Sequence, residues 1–215
     1  MKYLIAILLI ALTSVALSND STEIKFEYVK DKKLKLANDL NGIKMISIVC
    51  DDTLMRGKTF KLIMEEYEKG ELVNTEDFGL TCEDKEHEFE MNGEKYVHVY
   101  NTCDAVRFNK EDERYEIHIA MKQQDSTTDA IFKINKLERK KKLKSNKMYS
   151  LRVMNKTNDK YMVPVGEATP IIAYNPPYEI DDSTSWYCIL DTENPGKWHS
   201  DYDIEHFYIV YLLVE

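Results

Sequence analysis

Two histidines and two cysteines stand at matched distances on either side of Asn92-Gly93 in the stretch TCEDKEHEFEMNGEKYVHVYNTC, residues 81–103. These residue types can hold a metal ion, close a disulfide or pair a nucleophile with its base, and spacing selects among the three. Asn-Gly between alternating runs signals a two-residue β-hairpin, because both residues accept the positive φ of a type I′ turn. That turn sets Met91 opposite Glu94, Phe89 opposite Tyr96, His87 opposite His98 and Cys82 opposite Cys103. Pair types alternate outward from the turn. The cysteines therefore fall on a non-hydrogen-bonded pair with Cα atoms about 4.5 Å apart, inside the disulfide range. In an oxidising compartment the bond closes a loop of about twenty residues, a constraint of about 3 kcal/mol on chain-entropy grounds. One bulge in the first strand would destroy this register.

His87 and His98 share the face opposite the cysteines, where two imidazoles could take zinc or copper with His118 as a third ligand. Tight i, i+2 or i, i+4 spacing and a held acid are missing, so an ordinary cross-strand aromatic pair beside Phe89 and Tyr96 is the stronger expectation. No cofactor is expected. The other cysteines, Cys50 and Cys188, pair by elimination or stay as buried thiols, since four cysteines allow three connectivities. Cys188 also precedes His199 and His206 in a spacing that a thiol nucleophile could use. Other catalytic patterns fail. RGKT at 56–59 has Asp52 where a P-loop needs its first glycine, and neither G-x-S-x-G nor H-E-x-x-H occurs. No pair of carboxylates stands out as an acid/base couple.

Two stretches are candidate binding surfaces. Residues 133–147 carry Lys133, Lys136, Arg139, Lys140, Lys141, Lys142, Lys144 and Lys147 against Glu138. Such a patch suits phosphate, sulfated glycan or an acidic partner, or is simply a solvated face. Residues 174–203 gather Tyr174, Tyr178, Trp186, Trp198 and Tyr202 among prolines and acids. Aromatic faces beside carboxylates suit a sugar ring or a peptide, and a second small core under a long loop is the competing account. Asp201-x-Asp203-x-Glu205 lacks the glycine and terminal acid of an EF-hand loop.

The elements that must position these residues read as β. Hairpins are expected where KTFKLIMEEY meets ELVNTED and where YSLRVMN meets KYMVPV, with residues 104–108 and 114–121 as a further strand pair. Tyr115, Ile117 and Ile119 alternate onto one face. FYIVYLLVE near the C-terminus is apolar on both faces, which marks a central strand covered on both sides. In 126–147, Ala130, Ile131, Ile134 and Leu137 fit a helix and Ala130, Phe132 and Ile134 fit a strand, so that segment stays open. The expected fold is mainly β, a two-sheet antiparallel sandwich with long loops and room for one short helix.

The N-terminus reads as a secretory signal: Lys2, an apolar run from Tyr3 to Leu12, then Ala16-Leu17-Ser18. Cleavage before Asn19 leaves 19–215 as a single domain. The run is shorter than the ~20 residues that span a bilayer, and no later stretch qualifies, so no membrane insertion is expected. The whole chain has 29 basic and 38 acidic residues, and removing Lys2 leaves 28 against 38, a net charge of −10. That balance argues against nucleic-acid binding. Asn155-Lys156-Thr157 is a glycan acceptor only in a eukaryotic host.

IIAYNPPYEIDDSTSWYCIL, NPGKW, YDIEHFYIVYLLVE and GKTFKLIMEEYEKGELV together resemble a family of secreted proteins of Bacteroides-type gut bacteria known as a domain of unknown function. Its most specific part is Ala173-Tyr174, Pro177-Tyr178, Asp182-Ser183, Ser185-Trp186 and Cys188, then His206-Phe207-Tyr208. The resemblance implies a mainly β fold and a Gram-negative envelope or extracellular location, and carries no catalytic residues. The function expected is an extracytoplasmic binding module for a glycan or a surface protein. A metal-binding or hydrolytic secreted enzyme is the alternative, and oligomeric state is left open.

Overall fold

The structure is a computed structural model that describes residues 21–154, 160–180, 183–185 and 194–215. The signal-like leader, the Asn155 sequon, Trp186 and Cys188 lie outside the described residues. In chain order come β1 (Ser21–Tyr28), α1 (Lys32–Leu40), β2 (Ile43–Cys50), β3 (Phe60–Glu68), β4 (Glu71–Asp77), β5 (Asp84–Met91), β6 (Glu94–Asn101), β7 (Tyr115–Gln123) and β8 (Thr127–Ile134). There follow β9 (Leu137–Lys144), β10 (Ser150–Val153), β11 (Lys160–Pro164), β12 (Thr169–Asn175), β13 (Tyr178–Ile180), β14 (Ser183–Ser185), α2 (Trp198–Tyr202) and β15 (His206–Val214).

Two antiparallel sheets face each other. One runs β11-β1-β2-β7-β8-β9 and the other β10-β12-β15-β3-β4. Period-2 alternation explains the layering: Ile117, Ile119, Ala130, Phe132 and Ile134 point inward from the first sheet, and Leu62, Ile172, Tyr208, Val210 and Leu212 from the second. The open segment 126–147 is thus the hairpin β8–β9. Phe132 is fully buried while Ile131, the residue a helix would have used, is 37% exposed. The longer helix lies elsewhere, at α1, where the Asp31 carboxylate caps the Leu34 N–H at 2.8 Å.

Two expected pairings are corrected. YSLRVMN and KYMVPV do not form a hairpin, for β10 pairs with β12 in one sheet and β11 with β1 in the other. Alternation specifies a strand's faces but not which neighbour it takes, and a chain crossing between layers reads like a hairpin. Residues 102–105 form a 3-10 turn, and beyond it only Thr59↔Arg107 bridges.

The doubly apolar C-terminal segment is β15, central between β12 and β3. Its even-numbered residues enter the sandwich. Phe207 and Ile209 on its other side pack into a second core with Tyr67, Met154, Tyr178, Trp198 and Ile204. Phe207 stacks between Trp198 (4.6 Å between ring centroids) and Tyr67 (4.8 Å).

Candidate functional site

Three of the aromatic residues expected to bind ligand are structural. Tyr174 is 1% exposed inside the sandwich, and Tyr178 and Trp198 are 5% and 1% exposed in the second core. Tyr202 packs against that core, 5.2 Å from the Tyr178 ring. The second sheet has an apolar outer face, and Tyr178, Trp198 and Tyr202 shield it from water. Buried rings offer no face to a ligand, so Tyr174, Tyr178 and Trp198 are corrected from ligand binding to packing, while Trp186 lies outside the described residues.

A run of exposed aromatic residues lies on β5–β6. Asn92 and Gly93 have φ of 55° and 83°, the two positive values of a type I′ turn, and the ladder runs unbroken from Met91↔Glu94 through Phe89↔Tyr96 and His87↔His98 to Asp84↔Asn101. The ladder stops two residues short of the cysteines. Cys103 sits in the 3-10 turn with its side chain in the main core, and Cys82 reaches it through a disulfide with Cα atoms 5.0 Å apart. Asn101 reinforces the base: its Nδ2 donates to Asp84 (2.9 Å) and its Oδ1 accepts from the Cys103 N–H (3.0 Å). The Thr102 hydroxyl accepts from the Glu83 N–H at 2.9 Å. Among the described residues, β5 and β6 pair only with each other, and every residue of the two strands but Asn101 is exposed. The hairpin is an arm.

Its two faces differ in chemistry. Lys85, His87, Phe89 and Met91 share one face with Glu94, Tyr96, His98 and Tyr100, as strand alternation requires. The rings lie nearly parallel, with His87–Phe89 at 18°, Phe89–Tyr96 at 21° and His98–Tyr100 at 14°. The Tyr96 hydroxyl donates to Glu94 at 2.8 Å, and that carboxylate holds the phenol pKa above its ordinary value. Asp84, Glu86, Glu88 and Glu90 line the reverse face.

The expected metal set does not assemble. His87 and His98 do oppose each other, but His118 is on β7 in the six-stranded sheet, its Nδ1 2.9 Å from the Ser47 hydroxyl and its Nε2 3.3 Å from Glu116. Among the described residues no group of three or more His, Cys, Asp or Glu could hold a metal ion. The pairing of Cys50 with Cys188 is corrected too. Cys50 is a free thiol, 2% exposed, 3.3 Å from the Thr22 hydroxyl, and burial pushes its pKa up, away from the reactive thiolate.

Sequence spacing had no means of finding one buried polar network. His206 Nε2 meets Glu66 at 2.9 Å, its Nδ1 meets the Tyr149 hydroxyl at 2.8 Å, and that hydroxyl also donates to the His206 carbonyl at 2.9 Å. The Tyr208 hydroxyl donates to Glu66 at 3.1 Å and accepts from the Lys144 N–H at 3.0 Å, which joins the two sheets. Burial raises the phenol pKa of both Tyr149 and Tyr208. The network forms one wall of a cleft of 370 Å³ whose rim carries Lys69, Lys144, Glu68 and Glu205. Both ring nitrogens of His206 are engaged, so it is not poised to serve a thiol nucleophile. We expect Glu66→Ala to lower unfolding free energy by about 1–3 kcal/mol for each donor it strands. Glu66→Gln, which keeps an acceptor, should lose less. Urea titrations of the two variants check this, and equal losses would count against the network.

The basic run is the β8–β9 hairpin, with β9 the outermost strand of its sheet. Lys141 pairs with Glu76 on β4 at 2.5 Å and Lys144 with Glu68 on β3 at 3.1 Å, so part of the run ties β9 to the last two strands of the facing sheet. Among the described residues no helix is long and apolar enough to cross a membrane. Comparison of the chain with family models, curated proteins and solved structures returns no match.

Proposed function

We propose that the protein is an extracytoplasmic binding module whose arm engages the surface of a partner protein. The observation that carries this reading is the aromatic face of β5–β6, with Phe89, Met91 and Tyr100 all 41% exposed or more. Apolar rings held in water on a projecting ribbon gain by burial against another surface. Shape favours protein over sugar or a small molecule: such ligands are enclosed in concavities, whereas a projecting ribbon enters a groove on its partner. Tyr, Phe and Met are also the side chains that protein interfaces favour. The leader-like residues 1–18 and the Cys82–Cys103 disulfide support an oxidising compartment outside the cytoplasm.

The test immobilises the protein, offers envelope extract and soluble polysaccharides at low and high salt, and compares it with the Phe89→Ala/Tyr96→Ala variant. A protein retained at high salt and lost at least about tenfold by the variant is the expected result, since two truncated anchors cost 1.4 kcal/mol or more together. Retention of polysaccharide alone would move the reading to a glycan. Retention indifferent to the variant would remove the arm from it.

A further inference from the structure

The outer edges of β5 and β9 carry opposite charges on the residues that also carry their free backbone groups. In β5–β6, Met91–Glu94 flanks the turn as a hydrogen-bonded pair, so Glu86, Glu88 and Glu90 occupy the alternate pairs and turn their N–H and C=O groups away from β6. In β8–β9, Ile134–Leu137 flanks the Asn135-Lys136 turn, and the same alternation turns the backbone of Glu138, Lys140 and Lys142 outward. Among the described residues no strand pairs with either edge. Lys140 and Lys142 side chains are 71% and 65% exposed, and their contacts to Glu138 (3.1 Å) and Asp129 (4.0 Å) are surface pairs that exchange readily.

We infer that β5 of one copy adds antiparallel to β9 of a second copy of this chain. Setting Glu88 opposite Lys142 brings Glu90 opposite Lys140, while Lys144, whose N–H and ammonium already serve Tyr208 and Glu68, stays outside the contact. Each of these four outward-turned residues then meets its partner in a hydrogen-bonded pair with its side chain beside an opposite charge. Moving the strands two residues one way sets Glu90 against Glu138, and two residues the other way sets Glu88 against Lys144, whose N–H Tyr208 already accepts, so this register is favoured over both. Like edges match less well. A β5–β5 pair aligns acids throughout, and an antiparallel β9–β9 pair centred on Lys140 sets that lysine against its own copy even as Glu138 meets Lys142, whereas the β5–β9 contact joins unlike charges at both positions. Pairing is in the plane of the ribbon and leaves the aromatic face open, so this contact stands apart from the binding role proposed above.

The test is the mass of the purified protein by light scattering across a concentration series at low and high salt. The wild type is expected to associate above its monomer mass at low salt and to dissociate as salt screens the pairs. Glu86→Lys/Glu88→Lys/Glu90→Lys and Lys140→Glu/Lys142→Glu should each weaken association at least about tenfold. Combining all five substitutions in one chain, or mixing the two variants, should restore it, a recovery that misfolding would not give. Phe89→Ala/Tyr96→Ala should associate as the wild type does. A monomer at every concentration, or association that neither charge reversal changes, overturns the inference while leaving the retention test of the aromatic face intact.

Discussion

Trp198→Ala is expected to lower the free energy of unfolding by about 3–5 kcal/mol, the usual cost of emptying a large aromatic site in a core. Trp198 is 1% exposed and stacks on Phe207 at 4.6 Å, and Phe207 in turn stacks on Tyr67 at 4.8 Å. The indole therefore covers the central strand of the five-stranded sheet on its outer side. Its loss leaves a cavity between α2 and β15 or exposes the apolar face of β15 to water. Phe207→Leu, which keeps an apolar filling, should lose markedly less. Equilibrium denaturation in urea reads both variants. An unchanged midpoint for Trp198→Ala would mean that the second core contributes nothing, and the ring would again be available to a ligand.

Cys82→Ser is expected to lower unfolding free energy by about 3 kcal/mol through the denatured state, because the bond closes a loop with a sequence separation of 21. Cys82 is exposed, so the substitution itself adds no buried polar group. The local consequence should be larger than the global one. A two-stranded hairpin without other support is marginal in water, and β5–β6 has no third strand among the described residues. Hydrogen exchange should therefore show the arm amides opening freely in Cys82→Ser while β15 stays protected. Reductant should reproduce the effect on the wild type and add nothing to the variant. Arm amides that remain protected in Cys82→Ser would show that the ladder holds itself and the disulfide is dispensable.

The hairpin was legible in the sequence because its information is local. Asn92-Gly93 imposes the turn, the turn imposes the register, and alternation then assigns every side chain to a face. The same local logic identified β15 as central and Tyr115, Ile117 and Ile119 as a buried face. It read Tyr174, Tyr178 and Trp198 as a binding cluster because exposure is not local. In a Pro-rich stretch they look alike, but Tyr174 is packed inside the sandwich and the apolar outer side of β15 turns Tyr178 and Trp198 into core. Phe89, Tyr96 and Tyr100, which do face water, belong to a ribbon whose pattern resembles a half-buried strand pair. The Glu66–His206 contact bridges 140 positions, a separation at which no spacing rule operates.

By itself, then, the sequence determined what depends on nearest neighbours: the strands and their faces, the type I′ turn, the facing of His87 with His98, and the approach of Cys82 to Cys103. Tertiary structure decided what depends on which layer covers which. It placed β10 and β11 in different sheets, buried the second core, separated His118 from the other two histidines and left the arm without a third strand among the described residues. The physical reason is that backbone hydrogen bonds and turn sterics act within a few residues. Burial is a property of a surface, and it exists only once a second surface has been laid against it.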